Sequence, residues 1–458
     1  MNLSEDIARY VRNMTFEQLS NEVIQYTKLC ILDYYSSLIK GKDTIPVQMM
    51  SAVMSELGGD SQASTITGFR TSVTNAAFVN GGASHAIELD DVHKASIVHA
   101  ATVILPAVLA IAEWKKLTGK EIITAVVIGY EIAFRVGETV SPSHYYYFHN
   151  TATCGTFGAT VAVAKLLDLS EAEIIEALGS AGTQAAGLWE FIEDSAMSKQ
   201  LHPGKAAMHG VLSCLLAQKG FTGAKKILEG RRGFFEAMSE RYDIEKMTNG
   251  LGSTHKILEN SFKIHASCRH THPAMDLLCT YHRTLATKNV DDILKLEIGT
   301  YQVALDITNN NDPQSLYAAK FSLQFCAALA LLNGAGGYTA FTDSTLHDSS
   351  IREMMSRIDV FSDAEIDAKY PIQWGTNISI YWKNGEIDRL QSLYPVGDPE
   401  NPVSSDELIA KFHELADFYN EDAREAIVDI LLHLEQYDVQ MLVEAVHGRI
   451  HIGKATGL

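Results

Sequence analysis

The sequence predicts a mainly α protein, in which a large all-helical domain carries an inserted, smaller α+β lid domain. Through most of the first 230 or so positions, apolar residues recur at three- and four-residue steps, which is typical of helices that bury one face. After about residue 285, apolar and polar residues alternate, and β-branched and aromatic side chains become common, as in strands. Helical periodicity returns after a stretch rich in Pro and Gly, YPVGDPENP.

The chain length and these changes of pattern define the predicted domains. A chain of 458 residues exceeds what one hydrophobic core usually supports. We expect the first part of the helical domain at residues 1–264, the α+β lid domain at residues 265–395, and a C-terminal segment at residues 396–458 that returns to the helical domain. A cleft between two such domains is a common position for a small-ligand site.

Three kinds of segment predict the helices of the first part. Helical spacing is clearest in LSNEVIQYTKLCILDYYSSLI and EIITAVVIGYEIAFRV. The apolar run TVILPAVLAIAEW contains Pro106 and is too short to span a bilayer, so we interpret it as a core helix. Ala and Gly are frequent in TFGATVAVAKLLDL and EAEIIEALGSAGTQAAG, and such small residues let helices approach closely. We therefore expect a densely packed helical core.

The strands and helices of the later part follow from local signals. Alternation predicts strands in DILKLEIGTYQVAL and NISIYWKNGEIDRLQSLYP, and Asn384-Gly385 within the second stretch predicts a hairpin. A buried helix is expected between them, in AAKFSLQFCAALALLNG. Ser404 and Glu407 form a capping-box pattern at the start of DELIAKFHELADFY, where the last helical segment should begin.

Charge and cysteine usage exclude several classes of function. Acidic residues outnumber basic ones by 56 to 37, giving a net charge of −19, and no basic run appears, so we expect no nucleic-acid or anionic-membrane partner. The six cysteines include no CxxC pair, which argues against a disulfide framework and a Cys-based zinc site. The N-terminus, MNLSEDIARYV, has no signal pattern. We expect a soluble, cytoplasmic protein.

The stretch HAIELDDVHKASIVHA, at residues 85–100, combines three histidines with three carboxylates. At about 100° per residue, His85 and Glu88 would share a helix face, whereas Asp90 and Asp91 would not. One helix therefore cannot direct all these groups at one point. We predict that the helix ends near Leu89.

A loop beyond that helix would let His93 and His99 turn inward independently, and three interpretations of the stretch compete. A solvated face is the simplest interpretation of any charged run. Histidine and carboxylate are also metal ligands, but the spacing matches none of HExxH, paired ExxH or HxH. We favour acid–base chemistry in a metal-free cleft, because histidine titrates near neutral pH and a neighbouring carboxylate tunes it.

Further cationic and histidine-rich clusters lie in apolar or Gly-rich surroundings. They occur in YYYFHNTATCGTFG, AMSKQLHPGKAAMHG and SFKIHASCRHTHPAMD, and contain His149, Lys199, His202, Lys205, Lys263, His265, Arg269, His270 and His272. Any one of these residues alone is more often structural. Together, in an acidic protein, they indicate cationic anchors for a di- or tricarboxylate and one or two proton-transfer groups.

With these segments in order, the chain resembles the MmgE/PrpD family over essentially its whole length. The resemblance is carried by NGGASHAIELDDVH, FHNTATCGTFGA, KQLHPGKAAMHG, GFTGAKKILEGRRGFF, SCRHTHPAMD, AKFSLQFCAALAL and YPVGDPENP. It implies a helical domain with an α+β lid, a homodimer, and chemistry on small polycarboxylates without a metal or other cofactor. The activities it implies are 2-methylcitrate dehydration, cis-aconitate decarboxylation and iminodisuccinate epimerisation.

The resemblance also implies roles for individual residues. His99 and His149 are the proton-transfer candidates, Lys199 and Lys263 are carboxylate anchors, and His85 and Asp91 would orient the histidines. The residues predicted to be catalytic are His99, His149, Lys199, Asp91 and His85. The residues predicted to bind substrate are Lys263, Arg269, Glu88, His93, His202 and Cys268.

Departures from the decarboxylase-like pattern decide between the activities. Glu88 and Val92 replace Asp and Thr, Cys268 replaces a catalytic histidine, and Phe325 replaces tyrosine. Arg269 adds a planar donor suited to a carboxylate. We therefore predict a lyase that eliminates water, of the 2-methylcitrate dehydratase type. The alternatives are an epimerase or isomerase, a cis-aconitate decarboxylase, a catalytically silent carboxylate-binding relative, and a metal hydrolase.

Overall fold

The computed structural model describes residues 2–194, 196–285 and 288–448. It confirms the prediction of a mainly α protein, because helices occupy most of the chain before and after one four-stranded sheet. In this described part of the chain, no helix combines the length and the apolar character needed to cross a membrane.

The first part of the chain folds mostly into helices. They are α1 (Leu3–Asn13), α2 (Asn21–Gly41), α3 (Ile45–Leu57), α4 (Val73–His85), α5 (Ala101–Lys115), α6 (Gly119–Val140), α7 (Asn150–Leu166), α8 (Glu171–Gly182), α9 (Phe191–Asp194), α10 (Ser198–Ala217), α11 (Phe234–Met238) and α12 (Glu245–Thr248). Short strands pair between them as two antiparallel ribbons: β1 (Ala63–Ser64) with β2 (Arg70–Thr71), and β3 (Val92–His93) with β4 (Asn260–Ser261). The predicted all-helical domain is therefore helical except for these ribbons.

The later part mixes strands with helices. The strands are β5 (Ile293–Thr300), β6 (Ile358–Ser362), β7 (Thr376–Trp382) and β8 (Ile387–Ser392), in the order β6-β5-β7-β8. The helices around them are α13 (His272–His282), α14 (Gln302–Thr308), α15 (Leu316–Lys320), α16 (Leu323–Asn333), α17 (Asp343–Leu346), α18 (Ser349–Met355) and α19 (Ala364–Asp367). Three helices follow the sheet: α20 (Ser405–Leu415), α21 (Glu421–Leu432) and α22 (Val439–Val446).

Local signals explain where several elements begin and turn. The predicted capping box is present at α20, where the Ser404 hydroxyl accepts from the Glu407 backbone and the Glu407 carboxylate accepts from Ser404. The predicted hairpin is also present, because β7 and β8 pair antiparallel across Asn384 and Gly385. Gly385 has a φ of 87°, a left-handed conformation that glycine adopts without steric cost.

Close helix packing in the first part depends on small residues, as the sequence predicted. A Cβ atom at Gly204 of α10 would lie 2.3 Å from the carbonyl oxygen of Phe78 in α4. Gly129 of α6 and Gly158 of α7 approach each other in a similar way. Side chains at these positions would separate the helices, because protein interiors are close-packed.

Two main hydrophobic cores organise the chain. The larger core joins the helices of the first part to α20–α22 through side chains such as Phe412 and Leu442, so the C-terminal helices return to the helical part. The second core packs the four-stranded sheet against α13, α16 and α18, and it includes Ile87 and Leu89 from the connection between α4 and α5. The lid arrangement and the boundaries after residues 264 and 395 stay predictions. Positions 449–458 of the predicted C-terminal segment lie outside the described residues.

The structure differs from the predicted elements in places that matter for the site. α4 ends at His85 rather than near Leu89, and Glu88 lies beyond the helix with a φ of 62°. His85 and Glu88 therefore do not share a helix face, since the left-handed residue ends the helical path. In DILKLEIGTYQVAL only the first part is a strand, because α14 begins at Gln302. The sequence did not predict β6, which has mostly exposed or half-buried residues and no clear alternation.

Candidate active site

A small cavity of about 20 Å³, which we call the inner cavity, brings together residues from both parts of the chain. Its polar and charged lining residues are Glu88, His99, His149, Lys199, Lys263, Cys268, Arg269 and His270. Its apolar and aromatic lining residues are Val92, Ile97, Tyr145, Trp189, Phe321 and Trp374. Seven of the eleven residues predicted for the site line it: Glu88, His99, His149, Lys199, Lys263, Cys268 and Arg269.

His99 lies two residues before α5, and its hydrogen bonds define its tautomer. Its Nδ1 atom lies 2.6 Å from the carbonyl oxygen of Asp91. A carbonyl oxygen only accepts, so Nδ1 carries the proton and Nε2 keeps its lone pair. Burial lowers the pKa of His99, and the carboxylate of Asp90 opposes this shift only in part. The side chain is therefore a neutral imidazole that can accept a proton through Nε2.

Asp90 connects two of the predicted catalytic histidines. Its Oδ2 atom lies 2.7 Å from Nδ1 of His85 and 3.1 Å from Nδ1 of His99. Burial alone would raise the pKa of Asp90, but the two histidines outweigh it and hold that pKa well below its usual value. Asp90 is therefore a buried carboxylate that fixes the orientation of both rings, although it was not among the predicted site residues.

The side chain of Asp91 does not orient the histidines, which corrects the role predicted for it from the sequence. Its carboxylate accepts hydrogen bonds from the Tyr130 hydroxyl at 2.7 Å, the Asn260 side chain at 2.8 Å and the Ala101 backbone at 3.1 Å. Burial raises the pKa of Asp91 to about 7. Asp90 and Asp91 point to different sides because they are adjacent in a non-helical connection. Only the backbone carbonyl of Asp91 contacts His99.

Glu88 joins the two predicted carboxylate anchors. The Lys199 ammonium at the start of α10 donates to Oε1 of Glu88 at 2.5 Å, and Nζ of Lys263 lies 3.6 Å from Oε2. Burial would raise the pKa of Glu88, but the two lysines outweigh it and hold the pKa at about 2. Lys263 is fully buried, and its Nζ atom has no hydrogen-bond partner among the described residues. The two lysines therefore share one resident carboxylate.

His149 precedes α7 and forms a second histidine pair. Its Nδ1 atom lies 3.1 Å from Nδ1 of His202 in α10, so one ring donates to the other. Burial lowers the pKa of His149 well below its usual value, and burial lowers that of His202 to about 3. The edge of the Trp189 ring packs against His149, with 5.1 Å between ring centroids. His202 does not line the inner cavity, so the structure gives it a supporting position instead of the predicted contact with substrate.

The SCRHTHPA segment contributes three lining residues with different properties. Burial raises the pKa of the Cys268 thiol to about 11, so this side chain is uncharged. The Arg269 guanidinium contacts Asp398 at 2.5 Å and donates to the backbone carbonyls of Phe262 and Val396. Arg269 is therefore already paired, which counts against its predicted role as an anchor for substrate.

His270 completes the polar lining and was not chosen as a site residue, although its cluster was. Burial lowers its pKa to about 3. Its Nδ1 atom lies 2.6 Å from the Tyr301 hydroxyl, and its ring stacks on Trp374 at 4.5 Å. The density of histidines in RHTH was the available signal, but it did not separate His270 from His272. Trp374 lies 104 positions further along the chain, and no local pattern links it to the site.

His93 is not at the inner cavity, which corrects its predicted role in substrate binding. Val92 lines the cavity, and the next residue of the same strand, His93, points to the opposite side, because successive side chains of a strand alternate. His93 stacks on Phe134 at 4.1 Å and lies 3.4 Å from the carboxylate of Glu259.

Among the described residues, two groups of side chains have the composition and spacing of metal ligands: His85, Asp90 and His99, and His93, Glu138 and Glu259. In the second group, the Lys256 ammonium lies 2.9 Å from each carboxylate and supplies the positive charge. In the first group, the histidine nitrogens that face Asp90 already form hydrogen bonds, so a metal ion would have to displace these protons. Hydrogen bonding thus accounts for both groups.

Comparison with known proteins identifies the family. The MmgE/PrpD N-terminal domain matches residues 5–247, and the MmgE/PrpD C-terminal domain matches residues 265–436. The chain is 27% identical over 456 residues to the cis-aconitate decarboxylase of Homo sapiens, an alignment that covers 95% of this chain and 92% of the relative.

Two other relatives are also cis-aconitate decarboxylases. The cis-aconitate decarboxylase of Aspergillus terreus is 26% identical over 477 residues, covering 96% of this chain and 95% of the relative. The cis-aconitate decarboxylase of Mus musculus is 26% identical over 461 residues, covering 95% of this chain and 91% of the relative. The family domains together span most of the chain, in agreement with the motifs that first indicated the resemblance. The chain belongs to the MmgE/PrpD family.

Proposed function

We propose that the chain is a lyase that abstracts a proton from the carbon next to a carboxylate of a small di- or tricarboxylate, with elimination of water as the first candidate reaction. The assignment to the lyase class agrees with the decarboxylases that it matches. The tautomer of His99 is the observation that carries the proposed step. Its protonated Nδ1 binds the Asp91 carbonyl, so the free lone pair of Nε2 makes the ring a base rather than an acid.

The remaining lining groups supply the rest of the reaction. The two lysines can hold carboxylates and stabilise the negative charge that develops when the C–H bond breaks. In dehydration, that electron pair forms a double bond as the neighbouring C–OH bond breaks. The departing hydroxide takes a proton from the Lys199 ammonium or from the newly protonated His99, which yields water. No metal or other cofactor is required in this scheme.

We also propose that residues 265–395 act as a lid over this site. Cys268, His270, Phe321 and Trp374 from that range line the inner cavity opposite residues of the helical part. This distribution supports a site that is completed by both parts of the chain. The homodimer and the cytoplasmic location expected from the sequence stay predictions.

Decarboxylation is the second candidate, and the relatives favour it, since those compared are cis-aconitate decarboxylases. The neutral state of His99 favours elimination, because a decarboxylated carbanion needs a proton donor rather than a base. Epimerisation needs a group on the other side of the substrate carbon. His149 could provide one, since its ring centroid lies 6.2 Å from that of His99.

Proton NMR in D₂O with excess chelator tests the proposal. The purified protein is incubated with 2-methylcitrate, citrate, cis-aconitate and iminodisuccinate in parallel. We expect deuterium to replace hydrogen on the carbon next to a carboxylate, and the chelator should not reduce the rate. The identity of the product then distinguishes dehydration, decarboxylation and epimerisation. Loss of activity to the chelator, restored by zinc or iron, would instead establish metal chemistry. Binding without exchange or turnover would favour a silent carboxylate-binding relative.

The His99→Ala variant tests the assigned base. We expect kcat/KM to fall by about 10² to 10⁴, the usual contribution of a positioned general base, while the circular dichroism spectrum and Tm stay near those of the parent. His93→Gln is the matched control, because His93 is a predicted site residue that the structure places outside the inner cavity. Near-normal kcat in the His99 variant would end the assignment.

A further inference from the structure

Two segments that carry site residues have no regular structure at the point where they do so. Asp90 follows Leu89 in the connection between α4 and β3, and Lys263 lies just beyond β4. The carbonyls of Leu89 and Lys263 belong to no helix or strand, so no backbone ladder satisfies them. Both residues are buried, so these carbonyls require a donor from elsewhere in the fold.

The ammonium of Lys411 donates to both carbonyls. Its Nζ atom lies 2.7 Å from the carbonyl oxygen of Leu89 and 2.8 Å from that of Lys263. Its third contact, at 2.6 Å, is with Oδ1 of Asp33 in α2. An ammonium has three hydrogen atoms, so these three contacts use all of its donors. One atom thus links two site segments that lie 322 and 148 positions earlier in the chain.

The position of Lys411 is fixed by the packing of α20. Leu408 and Phe412 of this helix belong to the larger hydrophobic core, and Leu415 belongs to the second core. α20 is therefore anchored in both cores and presents the ammonium from a rigid element. The side chain of Lys411 is 10% exposed, and it does not line the inner cavity. It can therefore affect the site only through the backbone groups that it holds.

The two carbonyl contacts act on different parts of the site. The carbonyl of Leu89 shares a peptide group with the nitrogen of Asp90, so its hydrogen bond fixes the plane from which the Asp90 side chain reaches the two histidines. The other contact fixes the main chain that carries the ammonium of Lys263. Small displacements of such groups matter, because a misplacement of about 1 Å can reduce a rate about a hundredfold.

We propose that Lys411 is a positioning residue that holds Asp90 and Lys263 in place through the carbonyls of Leu89 and Lys263. This inference adds a residue of the C-terminal helices to those on which the site depends. It rests on the proposed function only for the reaction whose rate is measured. Asp33 supplies the negative charge that lets a buried ammonium occupy this position.

The Lys411→Met variant tests the proposal, because methionine is a long unbranched side chain that donates no hydrogen bond. We expect kcat/KM to fall by about ten- to a hundredfold. Both a lower kcat and a higher KM should contribute, since Asp90 acts through the proposed base and Lys263 is a proposed anchor for substrate. A kcat and KM equal to those of the parent would overturn the proposal.

Lys28→Met is the matched control for a merely structural role. Lys28 is a buried lysine of α2 whose ammonium pairs at 3.0 Å with Glu435, which also lies in the C-terminal segment. The control should lower Tm while leaving kcat and KM near the parent values at a temperature where both variants are folded. Equal losses of kcat/KM in Lys28→Met and Lys411→Met would overturn the proposal.

Amide hydrogen exchange provides a measurement that needs no substrate. In Lys411→Met, peptides that cover residues 86–93 and 260–265 should exchange faster than in the parent, whereas peptides from α7 should not. Unchanged exchange in both segments would overturn the proposal. Faster exchange there, in a protein whose parent turns over none of the four acids, would leave this inference standing while ending the proposed lyase function. The two failures are therefore distinguishable.

A second variant covers the risk that Lys411→Met does not fold because Asp33 is left as an unpaired buried carboxylate. Lys411→Met combined with Asp33→Asn removes both charges. This double variant should show the same loss of kcat/KM and the same faster exchange. Asp33→Asn alone keeps both carbonyl contacts and should behave like the parent. Parent-like behaviour of the double variant, or equal losses in Asp33→Asn alone, would overturn the proposal.

Discussion

At the scale of single residues, the contact between Asp90 and two histidines is the most informative feature of the site. Its Oδ2 atom faces Nδ1 of both His85 and His99. A negative charge at this position favours a proton on the Nδ1 atom of His99 and keeps Nε2 available as a base. The same charge raises the pKa of His99 against the effect of burial. Asp90 is therefore a positioning residue that acts through His99.

The Asp90→Asn variant should change both the rate and its pH dependence. We expect kcat/KM to fall by about ten- to a hundredfold, which is part of the 10² to 10⁴ that a general base contributes, with a smaller change in KM. The acid limb of the kcat/KM profile should move to lower pH. The base works only when unprotonated, and removing the neighbouring negative charge lowers the pKa of His99.

Glu138→Gln is the control for this variant, because Glu138 is a buried carboxylate near His93 and outside the inner cavity. It should leave the acid limb in place. Steady-state rates between about pH 5 and 9 would measure both profiles. A lower rate with an unmoved limb in Asp90→Asn would mean that Asp90 has only a structural role.

The composition of HAIELDDVHKASIVHA indicated a candidate site, but it did not assign the contacts of its residues. The rarity of histidine as a plain solvated residue argued against a solvated face, and the family resemblance gave His85 and His99 their predicted roles. Asp90 and Asp91 could not be told apart, because periodicity has no meaning in a connection that is neither helix nor regular strand. The side chains of Asp90 and Asp91 point in different directions because of the turn at Glu88 and the pairing of β3 with β4. β4 lies more than 160 positions further along the chain.

At the scale of elements, the crossing of α4 and α10 places Lys199 against Glu88. Gly204 lies five residues after Lys199 in α10, and a Cβ atom at Gly204 would lie 2.3 Å from the carbonyl oxygen of Phe78. Because Gly204 has no side chain, α4 and α10 can approach each other closely. Any increase in that distance moves the Lys199 ammonium away from its partner, so helix packing and site geometry depend on the same residue.

The Gly204→Ala variant should therefore lose stability and activity together. Its Cβ would lie 2.3 Å from a backbone oxygen that cannot rotate away, and overpacking of this kind costs about 1 to 3 kcal/mol. Gly155→Ala is the matched control, because the same atom there would meet methyl groups of Val103 at 3.1 Å, and a side chain can shift. Urea denaturation and kcat/KM of both variants are the measurements. Equal losses in the two variants would contradict this account.

The segment between α8 and α10 forms part of the wall between two spaces. The inner cavity, at about 20 Å³, has room for about one water molecule, whereas an outer groove of about 930 Å³ lies next to it. Tyr145 and Trp189 line both spaces. A dicarboxylate can therefore enter only if this wall or the proposed lid moves.

Ligand binding should change the fluorescence of Trp189, since its indole ring packs against His149. Titration of the parent protein with succinate should change the emission, and Trp189→Phe should remove most of that change. Trp374 also lines the inner cavity and accounts for the remainder. Trp382→Phe is the control, because Trp382 lies in β7 within the second hydrophobic core and should not respond. An undiminished signal in Trp189→Phe would place the moving wall elsewhere.

Elements specified by nearby residues were predictable, and elements specified by distant partners were not. The hairpin at Asn384-Gly385 and the capping box at Ser404 were correct because their hydrogen bonds lie within a few residues of the signal. By contrast, β6 is a strand because it pairs with β5, more than 50 positions earlier, and its own sequence, IDVFS, shows no alternation in burial. β5 runs antiparallel to β7, and its last residues pair with the first residues of β7. Beyond this point QVAL has no strand partner in β7, and it forms the start of α14.

At the scale of the whole molecule, burial or partial burial favours the neutral form of many described histidines. Burial lowers the pKa of eight described histidines: His99, His144, His149, His202, His209, His255, His270 and His272. For His144 the pKa falls to about 4, and for His202 and His270 it falls to about 3. Three buried carboxyls have raised pKa values: Asp33, Asp91 and Glu131. Their effect on the pH dependence of stability is opposite to that of the histidines.

The free energy of unfolding should therefore fall as the pH decreases from about 6.5 to 4. In this window an unfolded histidine binds a proton, whereas a buried one stays neutral, so acid favours the unfolded state. Each such histidine contributes up to about 1.4 kcal/mol per pH unit. His144 does not line the inner cavity. Its ring nitrogens contact the Met238 carbonyl and the Thr153 hydroxyl. His144→Gln should therefore reduce the slope by about that amount. Urea denaturation at constant ionic strength measures the slope, and an equal slope in His144→Gln and the parent would show that burial does not lower the pKa of His144.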